Sequence, residues 1–259
     1  MRKLVAFALA FVLGPFAGVA LSQTVGGPSS INIAGEQRML SQRVSKLYNQ
    51  IGLNILPGPA VGQITIASVQ FESNQEALRT IVAGSENAFN AYKKLADEWL
   101  KLKKAMSVAI SRDAAEALAR QSEATLAAAE HLTSIIEAEN KSDTSRVVNL
   151  AGRQRMLSQR VAANYLLRSW GVESSAVRQN LDGSVKDFSA GLEKLLARQE
   201  NSDEIHLELE EVAQQWEWLR ASLSVDGAGA YRLIVAESAD GILAATDRIT
   251  RLYEQQARR

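Results

Sequence analysis

Two arginines, Arg38 and Arg155, stand in nearly identical surroundings 117 positions apart. Each follows a glycine by three residues (Gly35, Gly152) and precedes a glutamine by four (Gln42, Gln159). An asparagine opens each copy (Asn32, Asn149), and a further arginine lies near its end (Arg43, Arg160). The stretch Asn32 to Val44 returns as Asn149 to Val161 with eleven of thirteen positions identical. A guanidinium is a permanently charged, planar fork of donors with no acceptor. Two of them brought together could hold a small planar anion between their forks. They could not act as a base or a nucleophile, so the chemistry this pattern suits is recognition.

The rest of the composition points the same way. The chain of 259 residues contains no cysteine, which removes thiol catalysis, thiolate metal sites and disulfides. The serines have no convincing His and Asp companions for a triad, and no glycine-rich loop follows a strand pattern. Only two histidines occur, His131 beside Glu130 and His206 between Glu204 and Glu208. Lone histidines among surface acids do not make a metal site. We expect no enzyme activity, no metal and no cofactor. Lys and Arg number 29 against 29 Asp and Glu, so there is no basic excess of the kind nucleic-acid binders show.

The elements that must position the arginines are helices. Proline is scarce at four residues, and Ala, Leu, Glu, Gln, Lys and Arg dominate, which favours helix. The spacing predicts a first helix over about residues 31–53, begun by a Ser29 or Ser30 cap and ended by Leu56-Pro57-Gly58-Pro59. Further helices are expected over about 64–82, 86–106 and 112–139, and the polar stretch 140–144 closes the first half. The second half repeats the plan at the same offset without gaps: Phe71 matches Phe188, Trp99 matches Trp216, Leu102 matches Leu219 and Thr133 matches Thr250. That is a tandem duplication of a four-helix unit. The fold class expected is all-α, two tandem antiparallel four-helix bundles over residues 28–140 and 145–257. Trp99, Trp216 and Trp218 are expected in the core or at an interface.

Ahead of the repeats, Arg2 and Lys3 precede an apolar run from Leu4 to Val19, and small residues follow at Ala20-Leu21-Ser22. Residues 1–22 read as a secretory signal peptide, which implies an exported, periplasmic chain. No later run approaches the ~18 apolar residues of a membrane span.

On a helical wheel of the repeated stretch, Ile33, Leu40, Val44, Leu47 and Ile51 form one stripe, expected to face the core. Ile31, Gly35, Arg38 and Gln42 fall on the opposite side. A glycine inside a helix costs ~1 kcal/mol relative to alanine, so its presence in both copies suggests a close approach. The economical arrangement pairs the two first helices about a pseudo-two-fold axis, within one chain or between two. Arg38 would then approach Arg155, and two such charges ~5 Å apart repel by roughly 3 kcal/mol at an effective dielectric of ~20. An anion between them would reverse that sign. Glu36 projects away from Arg38 and is not its expected counter-charge. The alternative is a face that binds the acids of a partner protein and no small ligand.

The motif N-x-A-G-x-Q-R-M-L-S-Q-R resembles that of the PilJ-type periplasmic sensor domain and the ligand-binding box of the NarX and NarQ nitrate/nitrite sensors. The resemblance implies that the paired arginine which binds the anion falls on Arg38 and Arg155, with its glycine on Gly35 and Gly152. It places the second motif arginine on Arg43 and Arg160, as a brace at the interface. Gln37 and Gln154 depart from the pattern, where NarX-like boxes tend to be apolar. The expectation is a sensory binding protein that takes nitrate or nitrite between its repeats and presents the bound state to an envelope sensor or transporter.

Overall fold

A computed structural model describes residues 27–224 and 229–256. The signal-peptide expectation for residues 1–22 lies outside them. The described residues form eight helices: α1 (Pro28–Gly52), α2 (Pro57–Ile81), α3 (Glu86–Met106), α4 (Arg112–Asn140), α5 (Asp143–Ser169), α6 (Ser175–Leu196), α7 (Asp203–Ser222) and α8 (Gly229–Gln256). Among the described residues there is no strand, and no helix is long and apolar enough to cross a membrane. Five helices begin at a serine whose hydroxyl accepts a backbone N–H three residues on: Ser85, Ser111, Ser142, Ser174 and Ser202. Each such cap satisfies one of the amides a helix start leaves free.

Two boundaries differ from the sequence expectation. α1 starts at Pro28 behind Gly27 with no side-chain cap, so Ser29 and Ser30 lie within the helix. α2 begins at Pro57, seven residues earlier than the periodicity suggests. Pro57 lies in the first helical turn, where its missing N–H is no loss and its fixed φ suits the helix. The reversal is taken up ahead of it, by Asn54 and Leu56 at φ of 57° and 47°.

The two first helices lie side by side at the centre. α1 packs against α5, α2 and α4, while α5 packs against α1, α6 and α8. Asn49 of α1 donates to the Ala163 carbonyl of α5, near Leu166, its counterpart in the repeat. α1 and α5 therefore run in the same direction and in the register of the duplication. α4 and α8 run opposite to them: Arg38 meets Glu130 while Gln42 meets Ser122, and Arg155 meets Asp247 while Gln159 meets Ala239. α2–α3 and α6–α7 complete each repeat on the outside. The repeats thus pair within one chain and share one continuous hydrophobic core.

Because α1 is covered on several sides, a single core stripe does not describe it. Leu40, Val44 and Leu47 are buried as expected, but Ile33 and Ile51 are only half-buried, and Ile31 on the reverse face is fully buried. At the far end of the seam a Cβ on Gly52 would collide with the Trp170 ring, so that glycine lets the other repeat close over the end of α1. In each repeat an aromatic pair joins the outer helices. Phe71 stacks on Trp99 at 3.9 Å between centroids, and Phe188 stacks on Trp216 at 4.1 Å. Trp218 is a correction: it projects from α7 with 74% exposure, because it lies two residues beyond the buried Trp216 and so on another face.

The duplication is broken at Lys46, whose counterpart is Ala163. Lys46 is fully buried, with its ammonium 2.6 Å from Asp240 and donating to the Ala236 carbonyl at 3.4 Å, both on α8. Burial pushes its pKa down to about 8, although the Asp240 carboxylate works in the other direction.

Two predictions follow from this packing. Trp99→Ala should cost about 3–5 kcal/mol in urea unfolding, while Trp218→Ser should stay within about 0.5 kcal/mol. For Lys46, the folded chain binds the proton more weakly than the unfolded chain, so its contribution to stability rises with pH between about 8 and 10.5. Wild type should gain about 2 kcal/mol over Lys46→Met between pH ~7 and ~9.5. The tyrosines do not disturb this difference: Tyr253, pushed up to about 12 by burial, is present in both proteins. A pH-independent gap between the two proteins would contradict the assignment.

Candidate functional site

The motif arginines lie at the α1–α5 seam and are almost wholly buried, Arg38 at 1% and Arg155 at 2% exposure. Each is held from two directions. Arg38 donates through Nη1 to Glu130 on α4 at 2.7 Å and through Nη2 to Asn149 of the opposite repeat at 2.6 Å. Arg155 repeats this with Asp247 on α8 at 2.7 Å and with Asn32 of the opposite repeat. Glu130 and Asp247 occupy equivalent positions, as do Asn149 and Asn32. The result is a pseudo-symmetric interlock in which each guanidinium ties the last helix of its own repeat to the other repeat's motif.

The glycines serve the arginines. A Cβ on Gly35 would lie 2.8 Å from Arg38 Nη2, and one on Gly152 would lie 3.1 Å from Arg155 Nη2. The guanidinium folds back over its own helix, and the absent side chain makes the room. The close approach inferred from the sequence is therefore that of the arginine itself. Burial pushes the Arg38 pKa down, Glu130 opposes this, and the guanidiniums of Arg153 and Arg155 add to the depression. Burial also raises the Glu130 carboxyl, but Arg38 and Arg153 outweigh it and hold the group below its ordinary range.

Arg43 and Arg160 cross between the repeats. Arg43 bridges Asp240 of α8 at 2.9 Å and Gln63 of α2 at 3.2 Å. Arg160 pairs through two nitrogens with Glu123 of α4 and reaches Asn180 of α6. Both thus brace the interface. The glutamines do not join the arginines. Gln42 donates to the Ser122 hydroxyl and carbonyl, and Gln159 donates to the Ala239 carbonyl, so each fastens its first helix to the last helix of its own repeat. Gln37 donates to the Phe71 carbonyl of α2, while Gln154 lies against Gly191, where a Cβ would collide with its amide.

The counter-charges lie far from the motif in sequence, on the last helix of each repeat. Acids recur every seven residues on α4, at Glu123, Glu130 and Glu137, and at the same repeat positions on α8, at Asp240, Asp247 and Glu254. Seven residues is close to two helical turns, so each set faces one way. On α4 these carboxylates meet Arg160, Arg38 with Arg153, and Asn149. That recurrence is the signal that could have identified them. His131 is exposed, and no group of three or more metal-binding side chains is assembled among the described residues.

The arrangement can do two things: hold charge in a dry seam, and exchange one counter-charge for another. Glu130 and Asp247 keep 38% and 29% exposure, so their carboxylates have a route to water that the arginines lack.

No curated protein and no solved structure matches the chain. A family description does, over residues 19–125 and again over 138–251, so that both copies of the four-helix unit are matched. It is that of the type IV pili methyl-accepting chemotaxis transducer N-terminal domain, and the chain belongs to this PilJ family.

Proposed function

We propose that the chain is a non-catalytic sensory module of the cell envelope, exported to the periplasm, that takes a small oxyanion at the Arg38/Arg155 seam. Nitrate and nitrite are the favoured ligands, and a separate envelope sensor or transporter reads the bound state. The family, named for chemotaxis transducers, supports the sensory part. The anion rests on one observation. Two nearly buried guanidiniums occupy equivalent places on paired helices, and their internal counter-charges sit on partly exposed carboxylates. An incoming anion replaces the oxygens of Glu130 and Asp247, which turn to solvent. The desolvated donors are already in place, so the cost of burying the cations has been met in the fold. Asn149 and Asn32 come from the opposite repeats, so replacing a carboxylate at either arginine changes the tie between α1 and α5. That gives the binding event a mechanical consequence.

A second reading is favoured by the same carboxylates. Glu130 and Asp247 already match the two arginines, so the interlock is complete without a ligand. The chain is then an interaction module whose surface is read by a partner protein. Calorimetry on the mature chain separates the two. The anion reading predicts heat with nitrate or nitrite that vanishes in both Arg38→Ala and Arg155→Ala. It also predicts roughly tenfold tighter binding in Glu130→Gln, where the internal competitor has lost its charge. No heat with either anion, in wild type and in Glu130→Gln alike, leaves the interaction module. Dependence on one arginine alone would refute the shared site.

A further inference from the structure

Within the thirteen-residue motif the copies differ at two positions, and only one changes chemistry: Glu36 stands where the second copy has Arg153. In the second repeat Arg153 donates to Glu130 on α4 and lies 3.5 Å from Asp187 on α6. Its guanidinium crosses the space between those helices. The equivalent positions across the pseudo-two-fold are Glu36 on α1, Asp247 on α8 of the other repeat and Gln70 on α2. No side chain from position 36 can supply a cation there. A groove of about 390 Å³ lies at this place, lined by those three residues and by Met39, Ile66 and Leu243 among others.

From this difference we propose that the groove between α1, α2 and α8 binds a small organic cation, a primary amine or guanidinium carried on an apolar body. The cationic head takes the position that the Arg153 guanidinium holds in the other repeat. Glu36 supplies its counter-charge. The Glu36 carboxylate accepts from the Asn74 amide at 2.9 Å and, among the described residues, makes no ion pair. Gln70 spends its amide nitrogen on Asn74 at 3.0 Å, which leaves its carbonyl oxygen to accept from the ligand. Asp247 adds negative potential at the edge, although Arg155 and Arg251 already engage it. Arg43 is the cation on this wall, and Asp240 holds it at 2.9 Å. The groove therefore presents carboxylate and carbonyl oxygens at one place and an apolar surface beside them, the combination that selects an amphipathic cation over a simple ion.

Calorimetry with phenethylamine tests this, with 2-phenylethanol as the uncharged control and phenylacetate as the anionic one. Phenethylamine should bind with an affinity that falls as salt rises, and neither control should bind. Glu36→Gln should weaken it at least about tenfold, the loss expected when a charge-assisted hydrogen bond becomes neutral. Glu36→Arg installs the residue the second repeat already carries at this position and should abolish binding by filling the groove from within; circular dichroism and urea unfolding check that it folds. Absence of phenethylamine binding, equal binding of 2-phenylethanol, or undiminished binding to Glu36→Arg would each overturn the proposal.

Discussion

Burying two guanidiniums in the seam between paired helices is the constraint that the rest of this structure answers. A charge taken out of water costs several kcal/mol unless partners replace the lost hydration. Arg38 and Arg155 cannot neutralise each other. Each therefore draws a carboxylate from the last helix of its own repeat and an amide oxygen from the opposite repeat. The glycine three residues before each arginine follows from the same need, because the guanidinium lies over its own helix backbone. The acids on α4 and α8, spaced by seven, follow as well. Those helices must lie beside α1 and α5 with their carboxylates turned inward, and that placement draws the two repeats into one core.

Much of this was legible in the sequence. The unbroken offset revealed the duplication, and the wheel placed Gly35 and Arg38 on one face that had to meet something. The helices 86–106 and 112–140 are bounded by features that sequence displays plainly: a capping serine starts each, Ser85 and Ser111, and a polar break follows the second. What was not legible arose from tertiary context. A wheel assigns one core stripe, whereas α1 is surrounded by α2, α4 and α5, so Gln42 turns to α4 rather than to its twin. Pro57 reads as a helix end by local rules, but it equally suits a helix start, and only the turn at Asn54 to Leu56 decides between them. Glu130 and Asp247 are an acid that recurs at the repeat offset, but nothing local ties a residue on the fourth helix to one on the first.

Departures from the duplication carry as much information as its conservation. At the seam the copies keep the same arginines and asparagines, and a carboxylate at each matching position. Away from it they diverge, in charge at Glu36 against Arg153 and Lys46 against Ala163, and in side-chain polarity at Asn74 against Gly191. Lys46 reinforces α1 against α8 on one side only, through Asp240. Arg153 ties α5 to α4 and α6 on the other side. The two halves thus share one interlock but close their flanks by different means, and one flank keeps a groove. Such asymmetry is available to a duplicated chain and not to a symmetric dimer of single domains, in which both flanks must be the same.

The interlock across the repeats is most directly tested by a double-mutant cycle on Arg38 and Asn149, using Arg38→Met, Asn149→Ala and the double variant in urea unfolding. The 2.6 Å contact between a buried guanidinium and an amide oxygen predicts a coupling of about 1–2 kcal/mol. Strict additivity, within about 0.3 kcal/mol, would contradict it and would mean that the arginine is held by its own repeat alone.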